Sequence, residues 1–428
     1  MIAIGGAIGT GLFLGSTLAI RVAGPAVIVS YLLGAVVAFL MIRAVGELTV
    51  KHPTAGSFGV HAELYLGQLA GFTVKWSYWF AITISIGGEA IATGVYAQHW
   101  FPHLPLWVPV VAFSAGLVAV NAMHVGAFGS FEYWFAMIKV VAIVLFILFG
   151  SSILLGLTHS DVPGLAGYQP FAPNGWTSIF IVLPIVMFSY LGTEIIAVTS
   201  GEAKDPEVAI PRALKATVVR LILFYVLSMA LLLALMPWRD ISPERSPFVR
   251  VFEIVGVPGA ASLMTVVVLT AALSSMNTNL YITSRMLFSL ARSGDAPALF
   301  GRLGATGTPR AALYASATGM AVAAVLAKLI PGDAFVFFFG VSIFGGFYCW
   351  AMIFLTHVAF TGGRGAGEAA GGRRQWAGGG RRQAMSIAGF LAMLFIIAMT
   401  WFLPGMKVTL LSGIPWLILL TIIWRFTR

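Results

Sequence analysis

The sequence predicts an all-α polytopic membrane protein, and three observations carry that prediction. Of 428 residues, 59% are hydrophobic and only 9% charged, against roughly 25% charged residues in soluble domains. Mean hydropathy is +0.95. Apolar stretches of about 20 residues, the length a spanning helix needs, recur along the whole chain. The ~10-residue alternating segments of a membrane barrel do not stand out.

Twelve spans are expected, at about 2–20, 25–48, 70–98, 105–123, 133–156, 176–200, 212–236, 259–283, 311–330, 334–359, 385–403 and 408–426. The first, Ile2 to Ile20, contains no charge, and the chain begins almost inside it. No basic region precedes it, so a cleavable leader is not expected. Fewer than ten residues before Gly9 leave room for a missing N-terminal tail. After the sixth span, Asp205-Pro206-Glu207 has the pattern of an N-cap, a proline at N1 and an acidic first turn. It marks a short interfacial helix ahead of Pro211-Arg212 and the seventh span. The Gly/Arg-rich stretch 361–383 reads as a flexible cytoplasmic linker, not an RNA-binding tract.

Charge orients the spans. Only six of the 25 Lys and Arg residues, namely Arg21, Arg239, Arg245, Arg250, Lys328 and Lys407, fall beside loops that follow odd-numbered spans. The bias places the even loops and both termini in the cytoplasm. It also accounts for the net charge of +10 without a nucleic-acid partner. The single cysteine, Cys349, permits no internal disulfide and suggests no metal cluster.

Two spans carry interruptions. In the first, IGTGLFLGS follows Gly5 and Gly6, so five glycines crowd into eleven residues. Glycine is a poor helix former and loosens the backbone. Gly5/Gly9 and Gly11/Gly15 are also GxxxG pairs, which serve close helix packing. The sixth span contains MFSYLGTEIIAVTSGEA, where Glu194 follows Gly192-Thr193. A carboxyl deep in a membrane helix costs ~3 kcal/mol unless it is paired or faces a cavity. IGTGLF (8–13) and LGTEII (191–196) share a cadence, five spans apart and of opposite topology. Glycine-interrupted segments at matching positions of inverted repeats point to a transporter's midplane site. The repeats would run over 1–157 and 175–360, with 361–383 a loop and 384–428 the last two spans.

Unwinding frees N–H groups on one half-helix and carbonyls on the other. The first suit a carboxylate and the second an ammonium, so a zwitterionic amino acid fits. Thr10 and Gly11 are candidates for the carboxylate, and carbonyls near Ala7, Phe188 and Leu191 for the amine.

The segments MIAIGGAIGTGLF (1–13), GPAVIVSYLLGAVVAFLMIRAVGEL (24–48), EYWFAMIKVVAIV (132–144), SYLGTEIIAVTSGEAKDPEVAIPRA (189–213) and LTAALSSMNTNLYITSRMLFSLARSGDAPALF (269–300) resemble the amino-acid/polyamine/organocation superfamily. They are most similar to its bacterial amino acid transporter branch, which holds the proline, aromatic and γ-aminobutyrate permeases. The resemblance implies a LeuT-like fold of 5+5 inverted repeats with discontinuous helices one and six, and two further helices. It implies proton-coupled uptake across the cell membrane, with the proton as coupling ion and no cofactor. Its substrate site would fall on Gly9, Thr10 and Gly11 for the carboxylate. Phe188, Ser189, Leu191 and Gly192 would hold the amino group, with Phe188 as an aromatic gate. Glu194 falls where several relatives keep a gating or coupling glutamate. One departure from the family pattern is that this sequence lacks the basic cytoplasmic segment that usually precedes the first span.

Lys139, flanked by Phe135, Ile138, Val140 and Val141, reads from position alone as a lysine snorkelling to the interface. Some proton-coupled relatives have a lysine here in place of a sodium ion, and a desolvated lysine can lose its proton in the physiological range. Ser274 or Ser275 is its candidate neighbour. Glu89 either lines the cavity or pairs with a neighbouring helix. Trp76, Tyr78 and Trp79 read as an interfacial belt, and Phe337 to Phe339 as packing with one ring near the side-chain pocket.

A secondary amino acid carrier is the leading reading. An amino-acid sensor on the same fold is separated from it by a flux assay. A membrane-embedded enzyme would need clustered acids, bases or nucleophiles, which the sequence does not offer. The expected partners are an amino acid and the lipid bilayer, with no obligatory protein partner.

Overall fold

The computed structural model describes residues 9–52, 57–123, 128–157, 162–194, 222–242, 246–256, 258–304, 307–363 and 379–427. Among them every regular element is helical. Among the described residues, eight helical stretches are long and apolar enough to cross a membrane, and two shorter apolar helices accompany them.

A five-residue π-turn, Gly11–Gly15, runs directly into α1 (Ser16–Ala23). A short 3₁₀ turn at Gly24–Ala26, with Gly24 at φ +59°, leads into α2 (Val27–Lys51). The short α3 (Ser57–Leu66) leads to α4 (Gln68–Ala97), followed by α5 (Trp107–Met123) and α6 (Phe128–Leu154). The sixth expected span begins as α7 (Ser178–Ile181) and α8 (Leu183–Tyr190), separated where Pro184 enters. A second π-turn, Ile222–Leu227, precedes α9 (Ser228–Leu235). The chain continues through α10 (Pro247–Val255), α11 (Ala260–Arg292), α12 (Arg310–Ser316), α13 (Thr318–Leu329), α14 (Ala334–Thr361), α15 (Gly379–Met399) and α16 (Val408–Thr427).

The long helices α4, α11 and α14 form the centre, with α4 packed on both others. Close approach is built into the sequence: a Cβ on Gly345 of α14 would lie 2.5 Å from the Ser77 carbonyl of α4. Only a glycine permits that separation. Around this centre, α6, α15 and α16 turn leucines, isoleucines and phenylalanines outward, among them Leu148, Leu391 and Leu411. A belt of exposed apolar side chains on the outer helices fits a bilayer as solvent.

Sequence and structure differ at several boundaries. The helix expected from 385 starts at Gly379, so Arg381 and Arg382 lie in its first turns. The expected helix at Asp205-Pro206-Glu207, Ala7 in the first span and the second half of the sixth span lie outside the described residues.

Candidate functional site

The site is built where α8 stops. Leu191 leaves the helix in an extended conformation (ψ 144°) and Gly192 follows at φ +97°, a left-handed value that favours glycine. The break exposes the Gly192 N–H, and the chain satisfies it locally. Both carboxylate oxygens of Glu194 accept from it, at 3.1 and 2.9 Å.

Two side chains from other helices complete the coordination of that carboxylate. The Tyr78 hydroxyl of α4 donates to Oε1 and the Trp350 indole of α14 to Oε2, both at 3.1 Å. Glu194 is only 1% exposed, and this donor set is what permits a carboxylate at that depth. Thr193 adds a bond from its hydroxyl to the Tyr190 carbonyl at 2.9 Å. The Phe188 carbonyl accepts the Leu191 N–H at 3.1 Å, so one carbonyl expected to face an ammonium already has a partner.

Opposite this break lies the start of the first described helix. An ideal Cβ on Gly11 would sit 3.0 Å from Phe188 Cδ1 and 3.1 Å from Ser189 Cα. The two glycine-interrupted segments therefore touch backbone to side chain. They enclose a cavity of about 40 Å³, lined by Gly9, Gly11, Phe188, Ser189, Leu191 and Gly192 together with both glutamates, Glu89 and Glu194. That volume holds roughly two or three waters. Thr10 lines a small neighbouring crevice with Glu89, Phe188 and Phe339.

Glu89 on α4 is 4% exposed. Its Oε1 accepts the Thr10 backbone N–H at 3.4 Å and the Ser275 hydroxyl at 3.1 Å. Of the two alternatives left open by the sequence, the structure gives Glu89 both a cavity wall and partners on neighbouring helices. Lys139 on α6 is fully buried, so it does not snorkel. It does not line the cavity, but it lies within electrostatic reach of Glu89.

A ladder of three phenylalanines closes one side of the cavity. The rings of Phe188 and Phe339 are 4.1 Å apart, and those of Phe339 and Phe335 5.7 Å. Beyond Phe335 opens a second cavity of about 800 Å³, reached between Tyr96, His99, Lys328 and Val336. Phe339 is therefore the ring of the 337–339 run that reaches the site, while Phe338 packs on Gly87.

The expectation of an interfacial belt at Trp76, Tyr78 and Trp79 does not hold for Tyr78, which is buried against Glu194. Trp350 also escaped the sequence reading. Both were accessible through helical spacing. Tyr78, Ser85 and Glu89 are seven and four residues apart on α4, and Ser342, Gly346 and Trp350 four apart on α14. Among the described residues no group of three or more metal-binding side chains forms a metal site.

Among the described residues, helices alone surround an internal polar site and apolar side chains cover the outer helices, which is the architecture of an integral membrane protein. The sequence matches the amino acid permease family over residues 1–426, and the chain belongs to that family. It is 40% identical over 363 residues to the aromatic amino acid transport protein AroP of Salmonella typhimurium (strain SL1344), covering 84% of this chain and 79% of that one. AroP of Escherichia coli O6:H1 is similar at 40% identity, with 84% and 80% covered. The uncharacterized amino acid permease YtnA of Bacillus subtilis (strain 168) is 38% identical over 365 residues, covering 84% and 79%. The chain is an amino acid permease and not an enzyme.

Proposed function

We propose that this permease takes up an aromatic α-amino acid together with a proton, by alternating access through a LeuT-like arrangement of twelve spans with cytoplasmic termini. The observation that carries the reading is the meeting of the two interrupted segments around one buried cavity. A helix start at Gly9-Thr10-Gly11 offers N–H groups to a carboxylate, and the end of α8 offers carbonyls to an ammonium. The similarity to AroP supports an aromatic side chain, as does the phenylalanine ladder beside the cavity.

In this reading the 800 Å³ cavity is the outer vestibule, and the phenylalanine ladder is the gate beneath it. Tyr78, Glu194 and Trp350 seal the opposite side. Lys139, Glu89 and Glu194 are the buried ionisable groups available for coupling, with Lys139 the first to test.

The test is inhibition of radiolabelled phenylalanine uptake in proteoliposomes by unlabelled compounds. Tyrosine and tryptophan are expected to compete at concentrations near that of phenylalanine itself. Phenethylamine and phenylpropionate, each lacking one backbone group, are expected to be at least about tenfold weaker, because one half-helix end stays unpaired. Equal competition by phenethylamine would remove the carboxylate from the proposed site.

A further inference from the structure

The Thr10 N–H, which the proposed function assigns to the substrate's carboxylate, already has a carboxylate acceptor. Glu89 Oε1 takes that N–H at 3.4 Å and the Ser275 hydroxyl at 3.1 Å. The fit over the break is close: an ideal Cβ on Gly9 would come within 2.7 Å of the same oxygen. The other oxygen, Oε2, is buried and has no hydrogen-bond partner among the described residues. A buried carboxylate oxygen without a partner is costly, and it lies in a residue that lines the cavity.

We propose that Glu89 is a built-in stand-in for the substrate's carboxylate at the Thr10 N–H, so that substrate and a proton on Glu89 bind together. The proposal rests on the reading that the substrate carboxylate binds at Gly9-Thr10-Gly11. Two carboxylates sharing one donor in a water-poor cavity repel each other, and one of them must be neutral. A proton taken up from the vestibule side onto Glu89 removes the repulsion. It also turns the unpartnered Oε2 into a donor able to hydrogen-bond the incoming carboxylate. Loss of that proton toward the opposite side restores the anion, which reclaims the Thr10 N–H and displaces the substrate.

The groups facing Glu89 fit this cycle. From α6 comes the buried Lys139, within electrostatic reach of Glu89. The Tyr225 phenol of the second π-turn and the Tyr96 phenol of α4 itself lie within electrostatic reach of Glu89. From α11 comes the Ser275 hydroxyl, and from the first segment Thr10. From the break after α8 comes Glu194, which lines the same cavity.

The experiment is equilibrium binding of radiolabelled L-phenylalanine to the purified full-length protein between pH 5.5 and 8.5, for the wild type and Glu89→Gln. Proton uptake on binding is followed with a pH indicator in weak buffer. Wild-type affinity is expected to be highest at low pH. Through the titration of Glu89 it should fall by about tenfold per pH unit, with about one proton taken up per substrate, as linkage requires. Glu89→Gln, which keeps a neutral side chain of the same shape, is expected to bind with no such slope and no proton uptake. A wild-type affinity that is flat with pH, or a slope that survives in Glu89→Gln, would overturn the stand-in role and leave the transporter reading in place. Failure of the wild type to bind phenylalanine at any pH would overturn both. A flat wild-type affinity decides against the role even if Glu89→Gln does not fold, and Glu89→Asp, which keeps a titrating carboxyl, then serves as the variant expected to retain the slope with its pH position moved.

Discussion

Gly11→Val is expected to weaken amino acid binding at least about a hundredfold, on the order of 3 kcal/mol, while the protein still inserts and elutes as a folded species. The cause is local. A Cβ at Gly11 meets Phe188 Cδ1 at 3.0 Å and Ser189 Cα at 3.1 Å. The ring can turn aside, but the Ser189 Cα belongs to backbone held by the end of α8. The branched side chain of valine would therefore push the two interrupted segments apart and cover the N–H groups between them. Thr10→Ala removes only a hydroxyl and should cost ~1 kcal/mol, a few-fold in affinity. Binding by detergent-solubilised protein, with size-exclusion profiles as the control for folding, checks both. Wild-type affinity in Gly11→Val would return the glycine run to a packing role.

Lys139→Gln should abolish accumulation driven by an inward proton gradient, bringing it at least about tenfold below wild type, while counterflow exchange partly survives. Exchange needs no net proton movement, whereas accumulation needs the proton on Glu89 to be taken up and released in each cycle, and Lys139 is the buried basic residue placed to act on that step. Glu194→Gln should fail differently. Its carboxylate accepts from the Gly192 N–H, the Tyr78 hydroxyl and the Trp350 indole. Exchanging the charge for an amide weakens those bonds and sets an NH₂ against donors. Charge-assisted bonds contribute about 1.5–3 kcal/mol, so binding and exchange should fall roughly ten- to a hundredfold together. Both assays use proteoliposomes and both variants. Wild-type accumulation in Lys139→Gln would leave the proton cycle of Glu89 independent of the lysine.

The contrast between these two residues shows where sequence reasoning reaches and where it stops. Glu194 stands out in a sequence because a carboxyl inside a hydrophobic run is conspicuous, and so does the broken GTG segment. The helical class is equally plain from hydropathy. Tyr78 and Trp350 do not stand out by composition, since aromatic residues in a membrane chain have an ordinary home at the interface, and helical spacing alone puts them on the faces that carry Glu89 and Gly346. Their roles depend on α4 and α14 packing closely enough for both to reach one carboxylate, and that packing runs through Gly345. Lys139 shows the opposite ambiguity. Its distance from the helix end suggested an escape to the headgroups, yet tertiary packing leaves it fully buried. Position along a helix is a local quantity, and burial is not.

The two seals of the proposed site are made of different materials. On the vestibule side the barrier is a ladder of three rings, Phe335, Phe339 and Phe188, touching through dispersion alone. On the other side it is a carboxylate held by three donors, reinforced further along by Lys75, which bridges Glu63 and Asp295 at 2.8 and 3.2 Å. Rings slide past one another through many nearly equal arrangements, whereas charge-assisted bonds break one at a time against a steep penalty. In the proposed cycle the vestibule seal therefore opens by small slips of rings with little dependence on ionic strength, whereas the far seal opens only as its charge-assisted bonds break. Barriers of unequal height set how fast each side opens, while the direction of net transport is left to the gradients of substrate and proton.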